Sequence, residues 1–259
     1  MRKYSMLKKE RQQEIEQILN SRKRISIREL ASLTYSSTST LRRDLIYLEE
    51  NGFLKRNKGE VILNSLNATE RSHNIRKTEN QPEKKYIAGL AKDFIAPGMC
   101  IYLDSSTTVY ELCPYICDID NLIVFTNGLN IAQRLSELAN STIKIFIAQG
   151  EVKHHSSSII NYNVENALLN HFRVDLAFCS AHGIDHQFVY EASLSQALSK
   201  KSIIDYANES ILLIDHSKFY QTGFFKINAL SKYKTIISDA LPNEQILESC
   251  ELSGIEWCS

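Results

Sequence analysis

Five hydroxyl residues in a row, Ser36 to Thr40, lead into Leu41, Arg42 and Arg43. Guanidinium groups read guanine edges through paired hydrogen bonds, and hydroxyls hold phosphates or base edges, so this grouping suits contact with duplex DNA. A second set of polar residues is dispersed. It comprises Asp104 with Ser105, Ser106, Thr107 and Thr108, then Thr126, Asn127 and Gly128, then Gln149 and Gly150, and finally the lysines Lys200 and Lys218. Hydroxyls, unpaired backbone N–H groups and ammonium groups together bind anions. Cysteine and histidine offer no third chemistry. Cys113 and Cys117 lie four apart and His154 adjoins His155, and neither pair makes a four-ligand zinc pattern. No metal site and no catalytic set is assigned, and the six cysteines read as free thiols of a reducing compartment.

The elements that must position these groups are legible from periodicity. In the first 65 residues, Ile15, Ile18 and Leu19 recur at helical spacing. A second helix opens at Ser26, with Glu29 three residues on as a capping box. A third carries Leu41, Leu45 and Leu48 on one stripe, which turns Arg42, Arg43 and Tyr47 to the other side, and it stops near Asn51-Gly52. Phe53 to Arg56, a turn at Asn57-Lys58-Gly59, and Val61 to Leu63 read as a hairpin. The whole is a winged helix-turn-helix whose third helix enters the major groove. The candidate DNA contacts are Ser26 and Arg28 on the second helix, Ser37, Thr38, Ser39, Thr40, Arg42, Arg43 and Tyr47 on the third, and Lys55, Arg56 and Lys58 in the wing.

Residues 66–81 are polar and read as a linker, after which Pro82 opens a helix running to Ile95. Over 82–259 short apolar runs alternate with helical stretches. The strands expected are 99–103, 122–126, 143–148, 174–179, 210–214 and 235–238, with helices such as 129–139 and 194–207 between them. Apolar strands alternating with helices give an α/β domain with a mostly parallel sheet covered on both faces. Ligands in such sheets sit beyond the carboxyl ends of the strands, which is where the Asp104, Thr126 and Gln149 turns fall.

Charge divides the same way. Residues 1–80 hold 17 Lys and Arg against 10 Asp and Glu, and residues 81–259 hold 13 against 20, so a neutral chain conceals a basic amino-terminal part. A basic part suits a polyanion partner. The polar start of the chain and the lack of any long apolar run imply a cytoplasmic protein without a membrane span.

The segment from Ile25 to Leu63 resembles the DNA-binding domain of the DeoR family of bacterial sugar-metabolism regulators. That family's Thr-Ile-Arg-Arg-Asp-Leu helix is matched by Thr40, Leu41, Arg42, Arg43, Asp44 and Leu45, and its Arg-x3-Asn-x2-Glu-Lys by Arg76, Asn80, Glu83 and Lys84. Further on, Asp104 to Thr108, Thr126 to Gly128, Gln149 to Glu151 and Ser217 to Phe219 match its anion-site motifs. Two acidic positions differ: His182 stands in an Ala-Asp-Gly motif and Leu198 in a Glu-x-Lys motif that ends at Lys200. The resemblance implies a fold similar to ribose-phosphate isomerases and CoA transferases. It also implies a phosphorylated-sugar effector bound by the second set of residues together with His182, no cofactor, an operator DNA partner, and a homodimer or homotetramer. The function expected is repression of a carbohydrate-metabolism operon. Two other readings stand beside it: an isomerase or acyl-transfer enzyme with an added domain, and a regulator whose ligand site has decayed. A winged helix with an outward arginine pair serves neither enzyme reaction.

Overall fold

The computed structural model describes residues 8–50, 53–63, 73–154, 156–161 and 171–259. The chain divides into two compact units, Met1–Ile75 and Arg76–Ser259.

The first unit runs α1 (Lys8–Arg22), β1 (Arg24–Ser26), α2 (Ile27–Leu33), α3 (Thr38–Glu50), β2 (Leu54–Asn57) and β3 (Glu60–Leu63). The leucine stripe of α3 is buried with Ile15 and Leu19 of α1, Leu30 of α2, and Phe53, Leu54 and Val61. The β2–β3 hairpin turns at Lys58 and Gly59, both at positive φ (43° and 88°), a turn whose twist matches that of the strands it joins. A third strand, β1, pairs antiparallel with β3 and was not anticipated, because three residues are too few to show alternation. The capping box is half made. Ser26 Oγ accepts the Glu29 N–H at 3.1 Å, but the Glu29 carboxylate is taken by Arg22. The stop expected at Asn51-Gly52 lies outside the described residues.

The segment read as a linker lies in part outside them too, at 66–72. Its described remainder is structured: α4 (His73–Thr78), Asn80 in the left-handed region (φ 48°), and α5 (Gln81–Ala91) with Pro82 in its first turn. Helix α5 ends at Ala91, and one 3-10 turn carries the chain to Phe94.

In the second unit β4 (Cys100–Leu103) is followed by two single-turn helices, α6 (Thr107–Tyr110) and α7 (Cys113–Ile116). Then come β5 (Ile123–Thr126), α8 (Leu129–Leu138), β6 (Lys144–Ile147), the hairpin strands β7 (Glu151–Lys153) and β8 (Ser158–Ile160), and β9 (Leu176–Cys179). The chain goes on through β10 (Gly183–Ile184), β11 (Phe188–Glu191), α9 (Leu194–Tyr206), β12 (Glu209–Leu213), β13 (Phe225–Ala229), β14 (Thr235–Ile237), α10 (Glu244–Ser253) and β15 (Glu256–Cys258). Seven strands form one sheet in the order β15-β14-β12-β9-β4-β5-β6, and every neighbouring pair is parallel. All six strands expected from the apolar runs lie in it. Side chains alternate between its faces: in β9, Leu176 and Phe178 join one buried cluster and Ala177 and Cys179 the other. Strands β10, β11 and β13 make a small antiparallel sheet that carries Glu191. Among the described residues no helix is long and apolar enough to cross a membrane, and no cluster of His, Cys, Asp or Glu is arranged to hold a metal ion.

Candidate DNA interface and anion site

On α3 the hydroxyl run begins by capping the helix. Ser37 Oγ accepts the Thr40 N–H at 3.2 Å and lies 3.0 and 2.9 Å from the Ser39 and Thr40 hydroxyls. Thr38, Ser39, Arg42 and Arg43 are exposed beyond that cap, and Arg28 is exposed on α2. Arg43 Nε reaches only its own helix, donating to the Ser39 carbonyl at 3.4 Å. Between the arginines and the core, Asp44 is 1% exposed and accepts Arg11 Nε at 2.6 Å and Gln12 Nε2 at 3.2 Å. This pair clamps α3 to α1, a role that a motif match alone does not reveal.

Three expected DNA contacts are otherwise engaged. Ser26 spends its hydroxyl on the α2 cap. Tyr47 packs against the core, with the Lys8 ammonium 5.1 Å from its ring. Arg56 is turned back onto Glu49, whose carboxylate takes its Nε at 2.6 Å and its backbone N–H at 2.8 Å. Lys55 and Lys58 remain exposed in the wing, Lys58 at its tip.

In the second unit the parallel register brings the ends of β4, β9 and β12 side by side. Asp104, just past β4, is 1% exposed. One of its oxygens accepts the Ser106 N–H at 2.9 Å, and the other accepts the Ser180 N–H at 2.9 Å and lies 3.2 Å from Lys200 Nζ. Lys200 also donates to the Ser180 carbonyl at 2.6 Å and to Glu191 Oε2 at 2.7 Å. Burial pulls the Lys200 ammonium down, but Glu191 and Asp104 outweigh it and hold it above the ordinary lysine value. Lys200 therefore does not stand ready to lend charge to a ligand; its charge is already balanced. The carboxylate on Lys200 comes from Glu191 of β11, while Leu198 itself is 57% exposed on α9.

Lys218 is the other ammonium. It follows β12, donates to Ser180 Oγ at 3.2 Å and lies 3.8 Å from Asp215. Burial lowers its pKa, Asp215 opposes that, and Arg76 and Lys200 add to it. His182 is half-buried in the same field, and burial keeps it below the ordinary histidine range. Ser180 is thus the hub, with its N–H on Asp104, its carbonyl on Lys200 and its hydroxyl on Lys218. A serine at a strand end carries no sequence signal for this.

The Ser105–Thr108 turn is buried throughout. Its geometry narrows what the helix start can offer an anion. Helix α6 has four residues, too few for a sizeable dipole; the Ser106 N–H is taken by Asp104, and Ser106 Oγ caps the Val109 N–H at 3.2 Å. The hydroxyls of Ser105, Thr107 and Thr108, with the first backbone N–H groups of α6, are the donors this turn offers. Thr126 has a structural task, donating to the Leu103 carbonyl at 2.6 Å and accepting the Gly128 N–H at 3.0 Å. Asn127 Nδ2 donates to the Ile159 carbonyl at 3.2 Å, and its Oδ1 is buried without a partner. Gln149 is exposed beyond the edge strand β6, and Gly150 permits a backbone crossing, since a Cβ there would lie 2.2 Å from the Ile160 carbonyl oxygen.

The segment after α4 closes the arrangement. Asn80 Nδ2 donates to Asp215 Oδ1 at 2.9 Å and Ser217 Oγ at 3.0 Å. Lys84 Nζ donates to the Glu79 carbonyl at 2.7 Å and to that of Arg76. Lys77 donates to the Tyr110 hydroxyl at 3.1 Å. Residues read as linker are therefore tied to the candidate anion site through Asp215 and Ser217. Two hollows, of about 340 and 480 Å³, lie elsewhere, one beside Ser210 and Lys234 and the other along α10.

A family model described as the DeoR-like helix-turn-helix domain matches residues 11–66, and one described as the DeoR C terminal sensor domain matches residues 79–240. The HTH-type transcriptional repressor GlcR of Bacillus subtilis is 29% identical over 251 residues, covering 97% of this chain and 96% of that protein. The lactose phosphotransferase system repressor of Streptococcus mutans is 31% identical over 242 residues, covering 93% and 96%. Among solved structures, a D-ribose-5-phosphate isomerase in complex with phospho-erythronic acid aligns over 54% of each chain, with a TM-score of 0.41 at 18% identity.

Proposed function

The chain belongs to the DeoR family of DNA-binding transcriptional regulators, and from that premise we propose that it represses a carbohydrate-metabolism operon and leaves its operator when a phosphorylated sugar binds at the ends of β4, β9 and β12. The observation that carries this reading is the Lys218 ammonium on the Ser180 hydroxyl, which lies 3.5 Å from Thr108 Oγ1, in the same chain as an outward Arg42–Arg43 pair. Relatives named as repressors, one of a lactose phosphotransferase system, support it. In this reading the site binds and does not catalyse. Lys200 has three donors and three acceptors around it, so its ammonium is saturated by Glu191, Asp104 and the Ser180 carbonyl. One recognition helix per chain reads one half-site, so the protein acts as a homo-oligomer on operator DNA.

The test uses the full-length protein. Its operator is selected from a random duplex library, and release is followed by fluorescence anisotropy against a panel of sugar phosphates. At least one member should release the DNA. The Thr107→Ala, Lys218→Ala double variant should bind the operator as before and resist release. A selected operator that no sugar phosphate releases would leave a regulator without this ligand, and a double variant released normally would remove these residues from the site.

A further inference from the structure

We propose that the Ser180 hydroxyl is a direct ligand of the effector's phosphoryl group, and that in the unliganded protein it holds the Lys218 ammonium in the position the phosphoryl group will need. This rests on the reading of the crevice as a phosphate site and adds to it the residue that joins its two sides.

Ser180 lies just past the end of β9, between the β4 side of the crevice, with the Ser105–Thr108 turn, and the β12 side, with Lys218. It is 1% exposed, and its three polar groups are divided cleanly. The backbone N–H and carbonyl serve the Asp104–Lys200 pair. The hydroxyl alone faces the other way, accepting from Lys218 Nζ at 3.2 Å and lying 3.5 Å from Thr108 Oγ1. A hydrogen bond of 3.5 Å is at the weak limit, so Ser180 Oγ–H has little to lose by turning to a better acceptor. A phosphoryl oxygen is such an acceptor, because charge-assisted O–H···O⁻ bonds are shorter and about twice as strong as neutral ones.

The charges favour the same occupant. Asp104 and Glu191 are neutralised by Lys200, with every Asp104 oxygen already bonded. Asp215 has one oxygen on Asn80 and Ser217, and Lys218 stands 3.8 Å from the other, too far for a hydrogen bond. Lys218 thus keeps hydrogen-bonding capacity that a neutral hydroxyl does not exhaust, and 22% of its side chain meets solvent, which gives an entering anion its way in. Ser180 keeps that ammonium from closing onto Asp215.

Ser180→Ala removes only the hydroxyl and leaves both backbone bonds, so the Asp104–Lys200–Glu191 set and the fold should survive. Ser180→Thr keeps the hydroxyl. Inorganic phosphate and a panel of hexose and pentose phosphates are titrated calorimetrically into the full-length protein and both variants, with operator affinity and thermal midpoint measured alongside. The alanine variant should bind phosphate and the sugar phosphates at least tenfold more weakly, at unchanged operator affinity, and the threonine variant should stay within about threefold of wild type. Equal affinity of wild type and Ser180→Ala would overturn the assignment while leaving the phosphate site in place. So would a threonine variant as weak as the alanine one, because packing and not the hydroxyl would then be responsible. If the wild type binds none of these compounds, the reading of the crevice fails and this inference falls with it.

Discussion

Asn80 Nδ2 donates to Asp215 Oδ1 at 2.9 Å, joining residues 135 positions apart. Asn80 does so from the left-handed region, at φ 48°, where asparagine and glycine are tolerated better than other residues. Two substitutions separate the two contributions. Asn80→Gly keeps the conformation and loses the bond to a carboxylate, a cost of about 1.5–3 kcal/mol. Asn80→Ala loses both and should fall about 1 kcal/mol further. Urea denaturation measures each. A glycine variant as stable as wild type would mean that the hydrogen bond contributes nothing.

Lys84 gives a pH signature. It is 3% exposed, and burial, helped by Lys218 and opposed by Asp215 and Glu79, lowers its pKa from 10.5 to about 8. Between about 8 and 10.5 the unfolded chain then binds more protons at this residue than the folded one, so its contribution to stability rises with pH through that window. Below pH 8 both states are protonated and the contribution is flat at its least favourable value. The stability of wild type minus that of Lys84→Met should climb by roughly 3 kcal/mol at most from pH 7 to pH 10.5. A difference that stays constant over that range would contradict a buried, destabilised ammonium.

The Lys200 set should behave as a unit. Lys200→Met leaves Glu191 and Asp104 buried without their cation and should cost about 3–5 kcal/mol. Adding Glu191→Gln removes one stranded charge, so the double variant should be more stable than Lys200→Met alone, a non-additive outcome expected of groups in contact. Strict additivity of the two losses in chemical denaturation would refute the coupling.

At the DNA interface, Arg43→Ala should cost about 1–3 kcal/mol on the selected operator and relax preference at one base pair. Lys58→Ala should weaken binding to all sequences alike and reduce the salt slope by about 0.9. Glu49→Ala releases Arg56 from its present partner and should raise non-specific affinity, steepening the slope by a similar amount. Anisotropy titrations at several salt concentrations check all three. An unchanged slope for Glu49→Ala would show that Arg56 cannot reach a phosphate even when freed.

Local periodicity made much of this fold legible. The Leu41, Leu45 and Leu48 stripe is a property of one helix, and the six strands are apolar because both faces of the sheet are covered. What escaped was long-range. The partner of Asp44 is 33 positions away, and Glu191 reaches Lys200 from a separate sheet. Leu198 and Lys200 are two positions apart, so a helix sets them about 200° from each other, and both could not face the crevice. The same wheel places Gln196 on the Lys200 side, and it is buried there. The partners that Ser26, Tyr47 and Arg56 have within the protein were not legible, because a polar or aromatic tip on a helix or wing looks the same whether its partner is DNA or the protein's own cap, core or carboxylate.

The Asp44 clamp bears on how such regulators can be re-engineered. Its carboxylate sits in the recognition helix, yet the groups that satisfy it, Arg11 and Gln12, belong to α1. A transplant of α3 from another protein imports new base-reading residues, but it keeps its seat on the scaffold only if it carries an acid at this position, or if α1 travels with it. The transferable unit of specificity is therefore the pair of helices, and a library that randomises exposed positions around Arg42 and Arg43 should hold Arg11, Gln12 and Asp44 fixed.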